Sequence, residues 1–64
     1  MTVTINGKQT IFDKEMTLNE FLKEKGIDRN TVVIEYNMEI MDSNNDLIFK
    51  DGDNIEILRI VGGG

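Results

Sequence analysis

Residues 51–64 of the chain read DGDNIEILRIVGGG, a tight turn followed by an apolar segment and three glycines. Within the apolar segment, Ile55 and Ile57 alternate with polar neighbours, as expected for a strand with one buried face. The glycines have no Cβ, so this part of the chain can pass through a slot too narrow for any side chain. The stretch therefore predicts a rigid last strand, followed either by a flexible tail that presents the carboxylate of Gly64 to another protein or by a glycine-rich chain end that is simply frayed.

Length and composition indicate one small domain. A chain of 64 residues buries only about 60% of the surface that its unfolded form exposes, so its core is small. There is no cysteine to form disulfides or thiolate metal sites. No targeting segment or long apolar stretch is recognisable. We therefore predict a domain over residues 1–61 with a glycine tail at 62–64, in a cytoplasmic protein that is a monomer when free.

The charge balance restricts the kinds of partner. Seven basic and twelve acidic side chains give a net charge of −5. This charge opposes binding to nucleic acid or to an anionic membrane, and it favours proteins with a basic docking face.

The missing residue types argue against catalysis by the chain itself. Histidine is absent as well as cysteine, so a conventional nucleophile and base cannot be paired, and the commonest zinc ligands are lacking. The sequence also gives no sign of two carboxylates buried together, as acid–base catalysis would need. We predict no catalytic residue, no metal and no bound cofactor.

The beginning of the chain predicts a β-hairpin. Residues 2–5 alternate polar and apolar, and Asn6-Gly7 is a two-residue turn signal because both residues tolerate positive φ. A returning strand is expected to continue to about Phe12. Since Ile11 and Phe12 are adjacent, alternation leaves open which of them faces the core.

A short helix is predicted from Leu18 to about Lys25. Thr17 and Glu20 have the spacing of a capping box, and Gly26 offers a left-handed stop. The apolar stripe of this helix consists of Leu18, Phe21 and Leu22.

The second half of the chain predicts three more strands. Residues 32–36 form a β-branched run, Asn37-Met38 can reverse it into a short strand at 39–41, and the last strand begins after Asp53. One helix packed against a sheet makes an α+β fold.

The polar loop has part of a calcium-binding pattern. Asp42, Asn44 and Asp46 have the spacing of the first ligands of an EF-hand loop, but Leu47 occupies the required glycine position and Asp53 the position of the bidentate Glu. We therefore interpret this segment as a solvated loop.

The last strand also suggests a docking patch. If Ile55 and Ile57 face the helix, Leu58 and Ile60 project from the opposite face of the sheet, where exposed apolar residues mark interfaces. The alternative is that Leu58 and Ile60 fold back onto the edge of the core.

Together these motifs resemble the ThiS family of thiamin-biosynthesis sulfur carriers. The most specific part is Asp51-Gly52-Asp53-x-Ile55-x-Ile57 with a terminal Gly-Gly, and the likeness covers essentially the whole chain. The resemblance implies a ubiquitin-like β-grasp fold, which is a mixed sheet of four to five strands with one packed helix. In this fold the first and last strands are parallel at the centre of the sheet.

The resemblance also implies a mechanism and a set of partners. A ThiF-type adenylyltransferase would consume Mg-ATP to adenylate Gly64, with Gly62 and Gly63 in its channel. A cysteine desulfurase or sulfurtransferase would supply the sulfur of a thiocarboxylate, and a ThiG-type thiazole synthase would receive it. Two alternatives remain open: a carrier like the small subunit of molybdopterin synthase, and a ubiquitin-like interaction module or modifier.

Overall fold

The computed structural model describes residues 1–60. Their elements in chain order are β1 (Thr2–Ile5), β2 (Lys8–Ile11), α1 (Leu18–Glu24), a 3₁₀ turn (Arg29–Thr31), β3 (Val32–Tyr36), β4 (Glu39–Ile40) and β5 (Asn54–Arg59). The strands form one sheet in the order β2-β1-β5-β3-β4. β1 and β5 are parallel, and the other neighbours are antiparallel. The predicted α+β fold is confirmed, whereas the predicted tail at 62–64 lies outside the described residues.

Both predicted hairpin turns form. The central residues of the first turn have φ values of 51° at Asn6 and 79° at Gly7, and those of the second have 49° at Asn37 and 75° at Met38. Positive φ at both central residues is the requirement of a type I′ turn, whose twist matches that of the flanking strands. These turns therefore fix the registers of β1 with β2 and of β3 with β4.

Helix α1 is defined at both ends by local hydrogen bonds. At its start, the Thr17 hydroxyl accepts from the Glu20 amide at 3.1 Å, and the Glu20 carboxylate accepts from the Thr17 amide at 2.9 Å. At its end, the Ile27 amide donates to the Leu22 carbonyl at 2.9 Å. Gly26, with φ of 70°, makes this reversal possible. Within residues 1–60, no helix is both long and apolar enough to cross a bilayer.

The core lies between α1 and one face of the sheet. Its buried residues come from the helix, the three central strands and the loop before β5: Val3, Ile5, Leu18, Phe21, Leu22, Val32, Ile34, Phe49 and Ile55. Phe12 packs against it, with its ring centroid 5.9 Å from that of Phe21 and 5.5 Å from that of Phe49. Ile11 is 75% exposed. The ambiguity between Ile11 and Phe12 is therefore settled in favour of Phe12.

A segment before β5 contributes to the core although its sequence has no strand pattern. Phe49 is only 2% exposed, and its amide donates to the Met16 carbonyl at 2.9 Å. Close by, the Leu18 amide donates to the Leu47 carbonyl at 2.9 Å. The segment is therefore fastened to the start of α1 and closes one end of the core.

Candidate functional site

The site begins with β5, the central strand of the sheet and the strand that precedes the glycines. It pairs with β1 on one side and with β3 on the other. Beyond its last residue, the Ile60 amide still donates to the Thr31 carbonyl at 3.0 Å. The backbone is thus held by neighbouring chain segments up to the last described residue.

The two faces of β5 have different environments. Ile57 is paired with Ile34 and packs against the core, whereas the next residue, Leu58, is paired with Val33. Successive side chains of a strand point to opposite faces of the sheet. Leu58 is 44% exposed and Ile60 is 59% exposed. Leu58 therefore lies on the face of the sheet away from α1, as alternation predicted. Both side chains are exposed and do not fold back onto the core.

Further side chains extend the face on which Leu58 lies. The register pairs Glu35 of β3 with Glu56 of β5 and with Ile40 of β4. Residues paired across antiparallel strands lie on the same face. The open-face surface is defined here as five residues of β3, β4 and β5 on the side of the sheet away from α1: Val33, Glu35, Ile40, Glu56 and Leu58. Ile60 follows β5 directly and is also exposed.

The side chain of Asn6 binds the backbone of β5 near the end of the strand. Its side-chain Nδ2 donates to the Ile57 carbonyl at 3.3 Å, and its Oδ1 accepts from the Ile57 amide at 2.7 Å. The side-chain amide thereby continues the parallel pairing beyond the end of β1. The sequence indicated only the turn at Asn6, because the partner is 51 positions away.

Asp53 fixes the beginning of β5. It is 6% exposed, and its carboxylate accepts from the Lys50 amide at 2.8 Å, the Tyr36 hydroxyl at 3.0 Å and Asn37 Nδ2 at 3.3 Å. The pKa of Tyr36 is raised, mainly because the phenol is buried. The hydrogen bond to Asp53 and the negative charge of the Asp53 carboxylate raise it further. Asn37 adds a second attachment, since its Oδ1 accepts from the Asn54 amide at 2.8 Å.

The turn at residues 51–53 also joins β5 to β1. The Thr2 amide donates to the Asp51 carboxylate at 2.7 Å, and the Gly52 amide donates to the Thr2 carbonyl at 2.8 Å. Gly52 has φ of 88°, a region that favours glycine. The Asp-Gly-Asp motif therefore has a structural role: it fixes where the central strand begins.

The loop that resembles a calcium site uses its carboxylates internally. Asp42 Oδ1 accepts from the Asn44 amide at 2.8 Å. Asp46 Oδ1 accepts from the Asn19 amide at 2.9 Å and from the Leu47 amide at 2.8 Å, which ties the loop to α1. The part of the chain that the structure describes contains no group of three or more metal-ligating side chains.

The fold defines the class first. A mixed five-stranded sheet with parallel β1 and β5 at its centre, and one helix across one face, is a ubiquitin-like β-grasp domain. Comparison with known proteins then gives the family. Residues 3–64 match the ThiS family, so the chain belongs to it.

Solved structures agree with this assignment. The crystal structure of thiamine biosynthesis protein ThiS from Geobacter metallireducens is 30% identical, has a TM-score of 0.74 and is matched over 100% of both chains. A solution structure of a thiamine biosynthesis protein from the same organism is 30% identical with a TM-score of 0.76, covering 100% of this chain and 88% of the other.

The chain also resembles part of a longer protein. The chain is 36% identical, over an alignment of 66 residues, to a thiazole synthase of Paramagnetospirillum magneticum. The alignment covers 100% of this chain but only 20% of that protein.

Proposed function

We propose that this chain is a sulfur carrier of thiamin biosynthesis and that Gly64 is the residue that carries the sulfur. The observation behind the proposal is the match to the ThiS family, which continues through residue 64 and so includes the glycines. The geometry of the domain supports it, because the central strand that leads to the glycines is attached at its start through Asp53 and near its end through Asn6.

In the proposed reaction, a ThiF-type adenylyltransferase binds the glycine segment together with Mg-ATP. A carboxylate oxygen of Gly64 attacks the α-phosphorus of ATP, pyrophosphate leaves, and an acyl-adenylate forms. The terminal sulfur of a persulfide on a cysteine desulfurase or sulfurtransferase then attacks the carbonyl carbon and displaces AMP. A thiol then attacks the partner's cysteine sulfur in the resulting acyl disulfide. The S–S bond breaks, the thiol forms a disulfide with that cysteine, and the thiocarboxylate is released.

The chain itself supplies position and access in this scheme. It has no histidine or cysteine, so the acid–base and thiol chemistry belongs to the partners. Gly62 and Gly63 allow Gly64 to reach the partner's active site through a narrow channel, since a residue without Cβ needs the least room. Leu58 and Ile60 are the proposed docking residues: Leu58 lies on β5, Ile60 follows that strand, and both are exposed.

A ThiG-type thiazole synthase is the proposed recipient of the sulfur. The relative named thiazole synthase includes a segment similar to this entire chain. A carrier and its recipient that share one polypeptide have a high effective concentration for transfer. This supports a thiazole synthase as the recipient in preference to a pterin-forming enzyme.

ATP–pyrophosphate exchange on the adenylyltransferase tests the proposal. Deleting Gly64 should abolish exchange and leave the melting temperature unchanged, because the last residues of a domain usually contribute little to its stability. Gly63→Ala should reduce exchange, and Gly63→Val should reduce it further, since the added volume obstructs the channel. If the deletion variant exchanged at the rate of the unaltered chain, Gly64 would not be the site of activation.

A further inference from the structure

Two glutamates lie directly opposite each other on the open face of the sheet. The register of β3 and β5 pairs Glu35 with Glu56, and the next pair on the same face is Val33 with Leu58. Both glutamates are partly buried. Like charges in directly opposite positions of an antiparallel pair are destabilising. The isolated domain therefore carries an unfavourable charge pair in the middle of its sheet.

The strand neighbours of this pair do not neutralise it. On β4, the residue beside Glu35 is Ile40. On the other side of Glu56, β1 has ended, and the side chain of Asn6 is bonded to the backbone of Ile57. The whole chain has a net charge of −5, which adds to the negative potential of this face. Local arrangements that disfavour the free fold are typical of functional sites.

We infer that the open-face surface binds a basic and apolar face of the enzyme that activates Gly64, with one cationic side chain of that enzyme between Glu35 and Glu56. The inference rests on the proposed function and adds the chemistry of the partner. An arginine fits two neighbouring carboxylates best, because its guanidinium donates from several sites in one plane. The apolar residues around the pair would exclude water from this contact and so strengthen it.

Two features favour this occupant. The surface includes Glu56 and Leu58 of β5, so a protein bound there contacts the strand that the glycines follow in the sequence. A second copy of the chain would be a poor occupant, because a two-fold contact through this face would bring two acidic pairs together. An anionic membrane is disfavoured for the same electrostatic reason.

The test compares Glu35→Gln, Glu56→Gln and the double variant in pyrophosphate exchange with the adenylyltransferase. Removing both charges should raise KM for the carrier on the order of tenfold with kcat unchanged, and should weaken the salt dependence of kcat/KM. Glu24→Gln is the matched control. Its charge change is the same, but Glu24 is an exposed residue of α1, on the other side of the sheet. Its KM should equal that of the unaltered chain.

Melting temperatures separate a docking role from a structural one. The double variant should melt no lower than the unaltered chain, because a repulsion has been removed. Glu35→Lys should melt at an equal or higher temperature, since it can pair with Glu56, and yet should raise KM more than Glu35→Gln does. A lower melting temperature of the double variant would assign the pair to the fold and overturn the inference.

The exchange assay also distinguishes this inference from the proposal on which it rests. If the unaltered chain supports exchange and the double variant has the same KM, the docking inference alone is wrong. If the unaltered chain supports no exchange, the proposed activation fails, and the docking inference fails with it.

Discussion

The two faces of the sheet are built from the same strands but differ in burial and in charge. On the helix-facing side, Ile34 and Ile55 are nearly inaccessible to solvent, and their burial is what stabilises a domain of this size. On the open side, Leu58 and Ile40 are exposed, and Glu35 lies directly opposite Glu56. Like charges in such positions are destabilising. The stability of the fold therefore accounts for the apolar residues of the helix-facing side, but not for the exposed apolar residues and the paired glutamates of the open side. The residues of the other face are therefore the ones available for recognition.

The largest difference between the faces should appear when an apolar side chain is shortened on each. Ile55→Ala should cost about 2–5 kcal/mol of unfolding free energy, because it removes a fully buried side chain. That is a large fraction of the roughly 5–15 kcal/mol typical of a domain. Leu58→Ala should stay within about 0.5 kcal/mol. Urea unfolding measures the unfolding free energy of both variants. Equal losses of unfolding free energy in the two variants would show that Leu58 contributes to the core.

A smaller effect is expected at Asn6, which belongs to neither face and attaches β5 to the end of β1. Asn6→Gly retains the positive φ of the turn and removes both side-chain hydrogen bonds to Ile57. The expected loss of unfolding free energy is about 1–3 kcal/mol, since each of the two hydrogen bonds contributes about 0.5–1.5 kcal/mol. Hydrogen exchange of the Ile57 amide should accelerate more than that of Ile34. Unchanged protection of Ile57 would mean that the amide bonds do not hold the strand.

The smallest expected effect is the pH dependence of stability caused by Tyr36, whose hydroxyl is hydrogen-bonded to Asp53 at the start of β5. The pKa of Tyr36 is raised above its ordinary value of 10.0. The folded chain therefore keeps the phenolic proton to higher pH than the unfolded chain does, so the unfolding free energy should fall as pH rises above 10.0. At lower pH the phenol is protonated in both states and contributes no slope.

Absorbance of the phenolate measures this pKa directly, because the chain has one tyrosine. Asp53→Asn should lower the pKa of Tyr36 part of the way, since the carboxylate charge is removed while the burial remains. An unchanged titration in Asp53→Asn would show that burial alone is responsible.

Local signals in the sequence predicted most of the fold. The Asn6-Gly7 turn, the capping box at Thr17 and the stop at Gly26 are each specified by a few adjacent residues. Alternation along a single strand favoured an exposed Leu58 over a buried one, and the structure shows it exposed. These features were predictable because neighbouring residues determine them.

The remaining features depend on residues far apart in the chain. Phe49 follows a polar loop, and its burial depends on Phe12 and Phe21, which precede it by many positions. The opposition of Glu35 and Glu56 depends on the register between β3 and β5. Such a register is set by packing of the whole sheet against the helix, so the acidic pair of the site could not be predicted from either segment alone.

The intact mass of the chain tests the central claim most directly. The chain is incubated with the adenylyltransferase, Mg-ATP and a persulfide donor with its thiol reductant, and it is then measured whole and after fragmentation. The account predicts that one sulfur replaces one oxygen, that the change is confined to the fragment containing Gly64, and that it is absent without ATP. An unchanged mass in the complete reaction, or a sulfur located elsewhere in the chain, would contradict it.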